Sequence, residues 1–326
     1  MKTSNHLLRR LTAALLAAVL ALSIALPVFA SDDGDTIYIN SVSDLLSLAR
    51  SCAYDQWSVG KTVILQKDLS LEGMLWEPIP SFSGQFKGNG HTISDLTITG
   101  QYSPAGLFGI VEEQGSIESL SVRGVVSVSD SADTTTGGIA GVNHGTLISC
   151  QFTGVVTGDS EVGGIVGRNE SEGTIDHSTA RAIVTGKSST GGIAGYNLGA
   201  ITGCTNVGSI NTEYPEASLD TDGFTAKMVD YINNKMAAAD DDATNSVTNV
   251  ATDTGGIAGR SSGMILTSVN TGTIGYEHVG YNVGGIVGRT DGLVSGCVNQ
   301  GRVLGRKDVG GIACLLYTSP SPRDTR

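Results

Sequence analysis

A glycine-rich motif of the form GG[IV][AV]G recurs along this chain and constrains its fold more than any other feature. The motif opens six units, which start at Gly137, Gly163, Gly191, Gly255, Gly284 and Gly310. Successive starts lie 26, 28, 64, 29 and 26 residues apart, so the long interval is one ordinary unit plus an insertion at about residues 213–252. A fixed period of this kind is typical of repeat architectures, in which each unit packs against its neighbours.

Each unit contains three short β-prone segments separated by glycine turns. The unit at residues 137–158 reads GGIAGVNHGTLISCQFTGVVTG and has no stretch long enough for the helix of a βαβ crossover. Because one strand face cannot bury itself, the units must stack, with about 4.8 Å between successive coils. We therefore predict an all-β fold, a right-handed parallel β-helix. A β-propeller is the main alternative, but its blades are about 40 residues or longer and richer in aromatic residues.

Three cysteines occupy the same position in their units, thirteen residues after the first glycine. They are Cys150, Cys204 and Cys297, and the intervening units have Ser178 and Ser268 at the equivalent position. Any two of these cysteines are therefore at least two coils, about 9.6 Å, apart, whereas a disulfide needs Cα atoms within about 7 Å. We predict buried free thiols that pack as small apolar residues, without a disulfide ladder or a metal site.

Asparagines form two further columns. The first lies six residues after the first glycine of each unit and consists of Asn143, Asn169 and Asn197, followed by Ser261 and Thr290. The second consists of Asn206, Asn270 and Asn299. Stacked amides can hydrogen-bond along the axis and satisfy backbone groups in a turn, which favours a structural role over ligand binding.

The two ends of the chain differ from the repeats. Residues 1–30 combine basic residues, an apolar stretch and a cleavage pattern ending at Ala30, which predicts a secretory signal peptide in preference to a membrane anchor. Residues 31–100 are predicted to form an N-terminal cap and the first coil, with a short helix at 41–49, a strand pair at 61–71 and coil strands from 82 onward. The repeats occupy residues 101–313. Residues 314–326 interrupt the motif and resemble a translated sequencing adapter, so we exclude them from the fold prediction.

The insertion at about residues 213–252 predicts one helix. Apolar residues recur every four positions there, at Phe224, Met228, Ile232 and Met236. Thr221 and Asp222 precede them as a candidate N-cap, and an acidic triplet at 240–242 follows. The helix could form a protruding contact or a cation-binding element, but we favour a helix laid over the coil surface, because three acidic residues alone are weak evidence for calcium.

The repeat units starting at Gly137, Gly163, Gly191 and Gly284 resemble the GLUG motif, which is found in large bacterial surface proteins. The segment FKGNGHTISDLTITG at residues 86–100, followed by AGLFG at 105–109, resembles the usual entry to such arrays. The resemblance covers about residues 36–313. It implies a cell-surface setting, often adhesin-like, with some members attached to IgA-specific metallopeptidases, but it does not imply one activity.

Few residues form a pattern that indicates chemistry. Glu172, Asp176 and Arg181 share one unit and are the candidates for a polysaccharide lyase or hydrolase, which needs paired carboxylates or acidic calcium ligands with a basic group. The histidines are scattered without an HExxH zinc motif, and His91 at a turn favours a structural hydrogen bond. No phosphate-binding GxxxxGK[ST] loop is present, and a net charge of −12 disfavours nucleic acid as a partner. We predict no catalytic, cofactor-binding or metal-binding residues.

The sequence thus predicts a secreted or cell-surface repeat module that is non-catalytic, adhesive or scaffolding, and part of a longer protein. The expected partner is a host or matrix glycan or protein, and attachment to a membrane or cell wall would come only from a further C-terminal region. Two alternatives stay open: a polysaccharide-active β-helix enzyme, and a spacer attached to a downstream surface peptidase.

Overall fold

The computed structural model describes residues 35–54, 56–128, 134–212, 252–277 and 280–316. Across these ranges the chain is nearly all-β, with parallel strands that stack as a β-solenoid of about eight turns, and it contains one helix. The predicted parallel β-helix is confirmed. The predicted signal peptide, the predicted insertion helix and residues 317–326 lie outside the described residues.

The strands pair in parallel with the equivalent strands of the next coil and form four sheets. Sheet 1 contains Thr135–Gly137, Glu161–Gly163, Ser188–Gly191, Thr252–Gly255, Tyr281–Gly284 and Lys307–Gly310. Sheet 2 contains Ile79–Phe82, Phe108–Val111, Ala140–Asn143, Val166–Asn169, Ala194–Asn197, Ala258–Ser261, Val287–Thr290 and Ala313–Leu316. Sheet 3 contains Thr36–Ile39, Thr62–Leu65, Gln85–Lys87, Ser116–Glu118, Thr146–Ile148, Thr174–Asp176, Ala200–Thr202, Met264–Leu266 and Leu293–Ser295. Sheet 4 contains Leu69–Ser70, Thr92–Gly100, Ser121–Val128, Gln151–Thr157, Thr179–Thr185, Thr205–Asn206, Ser209–Ile210, Val269–Asn270 and Val298–Asn299.

A complete coil passes through all four sheets, so it contains one strand more than the three we predicted. The additional strand is that of sheet 1, which ends on the first glycine of the motif, as in Glu161–Gly163. The motif itself is a corner, because the strand of sheet 2 begins only at its fourth residue, as in Val166–Asn169. The strands of sheet 1 have three or four residues and include Thr, Ser and Glu, so no apolar alternation marked them in the sequence.

Close backbone approach at this corner explains the double glycine. The first glycines pair in register along sheet 1, in the order Gly137, Gly163, Gly191, Gly255, Gly284 and Gly310. A Cβ on Gly163 would collide with the Val166 carbonyl oxygen of its own corner. A Cβ on the second glycine would collide with the next coil, as Gly192 would with the Gly256 carbonyl oxygen. A larger residue at either position would therefore force the backbone to move.

The isoleucine of the motif points into the core. It is fully buried at Ile139, Ile165, Ile193, Ile257 and Ile286. In the last described coil Ile312 is 41% exposed. Ile165 is therefore a core residue that lies in a corner and not within a strand. The N-terminal coils bury aromatic rings instead, with centroid separations of 5.3–6.3 Å among Phe82, Phe86 and Phe108.

The N-terminal region combines a helix with early coils. Helix α1, Val42–Ser51, agrees with the predicted helix, and the hydroxyl of Ser41 accepts a hydrogen bond from its first turn. Leu45 and Leu48 are buried, and α1 packs against the terminal strands of sheets 2 and 3. Among the described residues no helix is long and apolar enough to cross a membrane.

The predicted strand pair at residues 61–71 is wrong as a pair. Thr62–Leu65 lies in sheet 3 and Leu69–Ser70 lies in sheet 4, and each pairs with other coils. The solenoid also begins earlier than predicted, since Thr36–Ile39 already pairs with Thr62–Leu65. These early coils lack the glycine motif and are interrupted by α1. The spacing of the motif in the sequence therefore could not reveal them.

Candidate functional site

The first asparagine column is a hydrogen-bonded ladder. Asn143 Nδ2 donates to Asn169 Oδ1, and Asn169 Nδ2 donates to Asn197 Oδ1, both at 2.8 Å. Asn197 Nδ2 then donates to the Ser261 hydroxyl at 3.0 Å. Each amide also donates to a carbonyl of its own turn, and all four side chains are fully buried. Only Asn143 Oδ1 lacks a partner among the described residues of this ladder. The column therefore provides hydrogen-bond partners for buried backbone carbonyls in the turns of the solenoid.

The second asparagine column forms another ladder and also bends the chain. Nδ2 donates to the next Oδ1 at 2.8 Å along Asn206, Asn270 and Asn299. Asn206 also forms two reciprocal hydrogen bonds with the glycine two residues later, an arrangement we call the bracket. Its Nδ2 donates to the Gly208 carbonyl at 3.2 Å, and the Gly208 N–H donates to its Oδ1 at 3.1 Å. The same bracket recurs at Gly272 and Gly301. We predicted the column but not the bend, for which the repeated Asn-x-Gly spacing was the available signal.

The cysteine column alternates with serine along the axis. The Cys150 N–H donates to Ser178 Oγ at 3.1 Å, and the Ser178 N–H donates to Cys204 Sγ at 3.4 Å. Cys150 and Cys204 are buried, Cys297 is half-buried, and all three are free thiols. Burial raises the pKa of the Cys150 and Cys204 thiols to about 12 each, so they stay neutral and poorly nucleophilic.

The three residues considered for catalysis lie on different elements of the same coil. Asp176 ends a strand of sheet 3, and its carboxylate contacts His177 Nδ1 at 2.8 Å. Glu172 lies in the preceding turn, where a hydrogen bond from the Ser171 hydroxyl lowers the pKa of its carboxyl. Arg181 lies on the outer face of sheet 4. Across the described ranges, no hydrogen bond or ion pair joins any two of the three.

No group of three His, Cys, Asp or Glu side chains that could hold a metal ion occurs in the described part of the chain. His91 Nδ1 lies 3.1 Å from Asp68 Oδ1, and the Thr92 N–H donates to the same oxygen at 2.9 Å. The backbone bond first, and the histidine second, lower the pKa of the Asp68 carboxyl. His91 thus ties one coil to the preceding one, in line with a structural role.

An arginine–tyrosine stack lies on the outer face of sheet 2 and was not predicted. Arg168, Tyr196 and Arg260 occupy equivalent positions in three successive strands. Each guanidinium carbon lies 5.0 Å from the centre of the Tyr196 ring. Arg168 also pairs with Glu161 at 2.8 Å and Glu170 at 2.6 Å. The cation–π contacts link three neighbouring coils at the surface, whereas the two ion pairs hold Arg168 to residues of its own coil.

A shallow groove with a volume of about 380 Å³ lies on the outer face of sheet 4. It is lined by three consecutive residues from each of three successive coils, namely residues 181–183, 207–209 and 271–273. The middle residues of these triplets are the inward-facing Ala182 and the glycines Gly208 and Gly272, so the backbone there forms the floor, and the residues on either side form two walls. On the walls, Ile183 and Val207 are each 40% exposed. The groove is therefore a concave surface with both apolar and polar character.

Two relatives match parts of this chain. A halomucin from Haloquadratum walsbyi is 32% identical over 155 residues, which covers 44% of this chain and 2% of the halomucin. A candidate Gly-rich membrane protein from Evansella cellulosilytica is 29% identical over 137 residues, which covers 30% of this chain and 16% of that protein. The chain therefore spans only a small part of these curated relatives. No family model matches the chain.

A solved structure shares the fold over most of its length. It is a candidate immunoglobulin A1 protease from Bacteroides ovatus, with a TM-score of 0.54 and 17% sequence identity. The alignment covers 88% of this chain and 85% of that chain. At this identity the likeness shows the solenoid fold and does not extend to activity.

Proposed function

We propose that this chain is a non-catalytic module of GLUG-type repeats from a secreted or cell-surface bacterial protein, with an adhesive or scaffolding role. One observation carries the proposal. Equivalent coils stack in register, and their buried amides bond to one another along the axis in the two asparagine ladders. Such a stack is a stiff body with long, regular outer faces, which suits presentation of a binding surface or separation of other domains.

The relatives support a surface setting. One is a halomucin and the other is described as a candidate membrane protein, and the matched segment is a small part of each. A repeat segment within a much longer protein fits a module that presents or spaces other parts. Export would follow from the signal peptide predicted at residues 1–30, and attachment to the membrane or cell wall from a further C-terminal region.

Binding to surface ligands tests the adhesive form of the proposal. The purified full chain is applied to an array of glycans and matrix proteins, with an Ile165→Asp variant as a misfolded control. We expect saturable binding of the native chain, and not of the variant, to at least one glycan or protein. If the native chain binds none of them, the adhesive role is wrong and only the scaffolding role is left.

One observation favours a second candidate, a spacer attached to a surface peptidase. The solved protein with the same fold is described as a candidate immunoglobulin A1 protease. Incubation of immunoglobulin A1 with the full chain, followed by electrophoresis, tests whether this chain itself cleaves. We expect intact heavy chains, because peptidase activity in this second candidate belongs to a separate domain.

A further inference from the structure

The groove on sheet 4 is formed by a break in the strand ladder. The strand Thr179–Thr185 is continuous, but in the next coil Thr205–Asn206 and Ser209–Ile210 are separated by a bend. The Asn206 amide brackets Gly208 from the buried side of this bend, with bonds of 3.2 and 3.1 Å. Because the second asparagine ladder holds the bend from within, the groove has its shape before any ligand binds.

The floor of the groove consists of backbone. A Cβ on Gly208 would collide with the Ala182 carbonyl oxygen, and a Cβ on Gly272 would collide with the Gly208 carbonyl oxygen. The floor therefore has to stay free of larger side chains, and a ligand can lie close to the main chain. The backbone here is already paired along the axis, since the Val207 N–H donates to the preceding coil at 2.9 Å.

One cation lines the groove, and a second lies one coil beyond it. Arg181 lies on one wall in its first coil, and Arg302 belongs to the coil after its last one, next to Thr273 in register. Both side chains are exposed, and in the described ranges neither forms an ion pair with a carboxylate. Such unpaired positive charge stands out in a chain with a net charge of −12. Between the two cations lie apolar surface and the hydroxyl groups of the walls.

We propose that this groove binds an acidic glycan. Arg181 and Arg302 would hold its carboxylate or sulfate groups through charge-assisted hydrogen bonds. The apolar faces of the sugar rings would lie on Ile183 and Val207, and the wall hydroxyls would bond to sugar hydroxyls. An extended peptide fits less well, because it would need a free strand edge and the groove lies on a sheet face. The inference rests on the proposed adhesive function and names its ligand class and site.

The affinity of the full chain for defined oligosaccharides tests this site. The probes are oligogalacturonate and a heparin oligosaccharide, with methyl-esterified oligogalacturonate as the neutral match and a polyglutamate peptide as the acidic peptide. We expect at least one acidic oligosaccharide to bind more tightly than the neutral match, and its binding to weaken as salt screens the charges. Arg181→Gln should weaken that binding about tenfold or more.

Two further variants separate this site from general charge effects. Arg123→Gln removes the same charge from the same row of sheet 4, two coils away from Arg181, and should leave affinity unchanged. Val207→Asp adds a negative charge on an exposed wall and should abolish binding of the acidic probe while the melting curve stays that of the native chain.

Different failures identify different errors. Equal binding by Arg181→Gln, Val207→Asp and the native chain would overturn the site while leaving an adhesive function intact. Binding of polyglutamate that depends on Arg181 would overturn the ligand class. No binding of either acidic oligosaccharide would overturn the inference, and no binding on the array would overturn the adhesive function with it.

Discussion

Replacing Gly192 by alanine tests why the motif needs its second glycine. Gly192 lies at the corner between sheets 1 and 2, and an alanine Cβ would lie closer than 3.0 Å both to the Gly256 carbonyl oxygen and to the Asn206 side chain. Real Cβ atoms essentially never come that close to another heavy atom. The carbonyl belongs to the backbone of the next coil and cannot rotate away, so the two coils have to shift apart.

The expected cost follows from how firmly both coils are held. The Gly192 N–H donates to the Gly255 carbonyl at 3.3 Å, and the Gly256 N–H donates to the Gly284 carbonyl at 3.2 Å. Overpacking costs about 1–3 kcal/mol when side chains can adjust, and here the backbone must move. We expect the free energy of unfolding to fall by about 3 kcal/mol or more, which corresponds to a decrease in Tm of roughly 6–12 °C for a chain of this size.

Thermal unfolding followed by circular dichroism measures this change. Gly311→Ala is the matched control, because Gly311 has the same position in the last described motif and its Cβ would have no atom within 4 Å. The control should change stability by less than about 1 kcal/mol. If Gly192→Ala melts at the same temperature as the native chain, the close approach of the coils is not the reason for the double glycine.

Three further substitutions test the buried columns. Asn169→Ala removes two ladder bonds of 2.8 Å and leaves buried groups unpaired, so denaturant titration should show a loss of about 2–5 kcal/mol. Cys150→Ser should reduce the alkaline loss of stability in melts at increasing pH. Burial raises the folded pKa of this thiol to about 12, above an unfolded value of about 8.5, so its stabilising effect is complete at lower pH and is lost as pH rises through that window. Ile165→Asp should abolish cooperative unfolding, because an unpaired charge in the core costs several kcal/mol.

Two of these substitutions have a matched control within the chain. Asn299→Ala changes a half-buried amide in the last rung of its ladder and should cost less than Asn169→Ala. Ile312→Asp changes the same corner position where it is 41% exposed and should preserve cooperative unfolding. Serine already occupies the cysteine column at Ser178, so Cys150→Ser should fold. Equal losses in Asn169→Ala and Asn299→Ala, or in Ile165→Asp and Ile312→Asp, would refute the burial argument for that pair. For Cys150→Ser, an unchanged alkaline loss of stability would refute it.

The stacked coils could be predicted because their cause is local and repeated. Each motif glycine lies beside its counterpart one period later, as Gly163 does beside Gly191, so spacing alone sets the register. The same logic brought Asn143 next to Asn169, because a column at a fixed offset in the repeat becomes a column in space. Helix α1 was predictable from Ser41 as N-cap and from its apolar spacing.

The remaining features depend on contacts that no single period reveals. The strands of sheet 1 have weak patterns, and they are strands because the next coil pairs with them. The groove lies where the Asn206 side chain hydrogen-bonds to Gly208 and bends the chain. Its wall combines residues that are far apart in sequence, such as Arg181 and Thr271. The Tyr196 stack likewise depends on which side chains stand at one outward position in successive coils.

The chain length of a bound polysaccharide tests most directly whether this solenoid binds without catalysis. The full chain is incubated with polygalacturonate, with and without calcium, and the mass of the polymer is followed by light scattering. We predict that the mass stays constant at protein concentrations that saturate binding. A decrease in mass that disappears in an Asp176→Asn variant would contradict a non-catalytic module and favour a polysaccharide lyase or hydrolase.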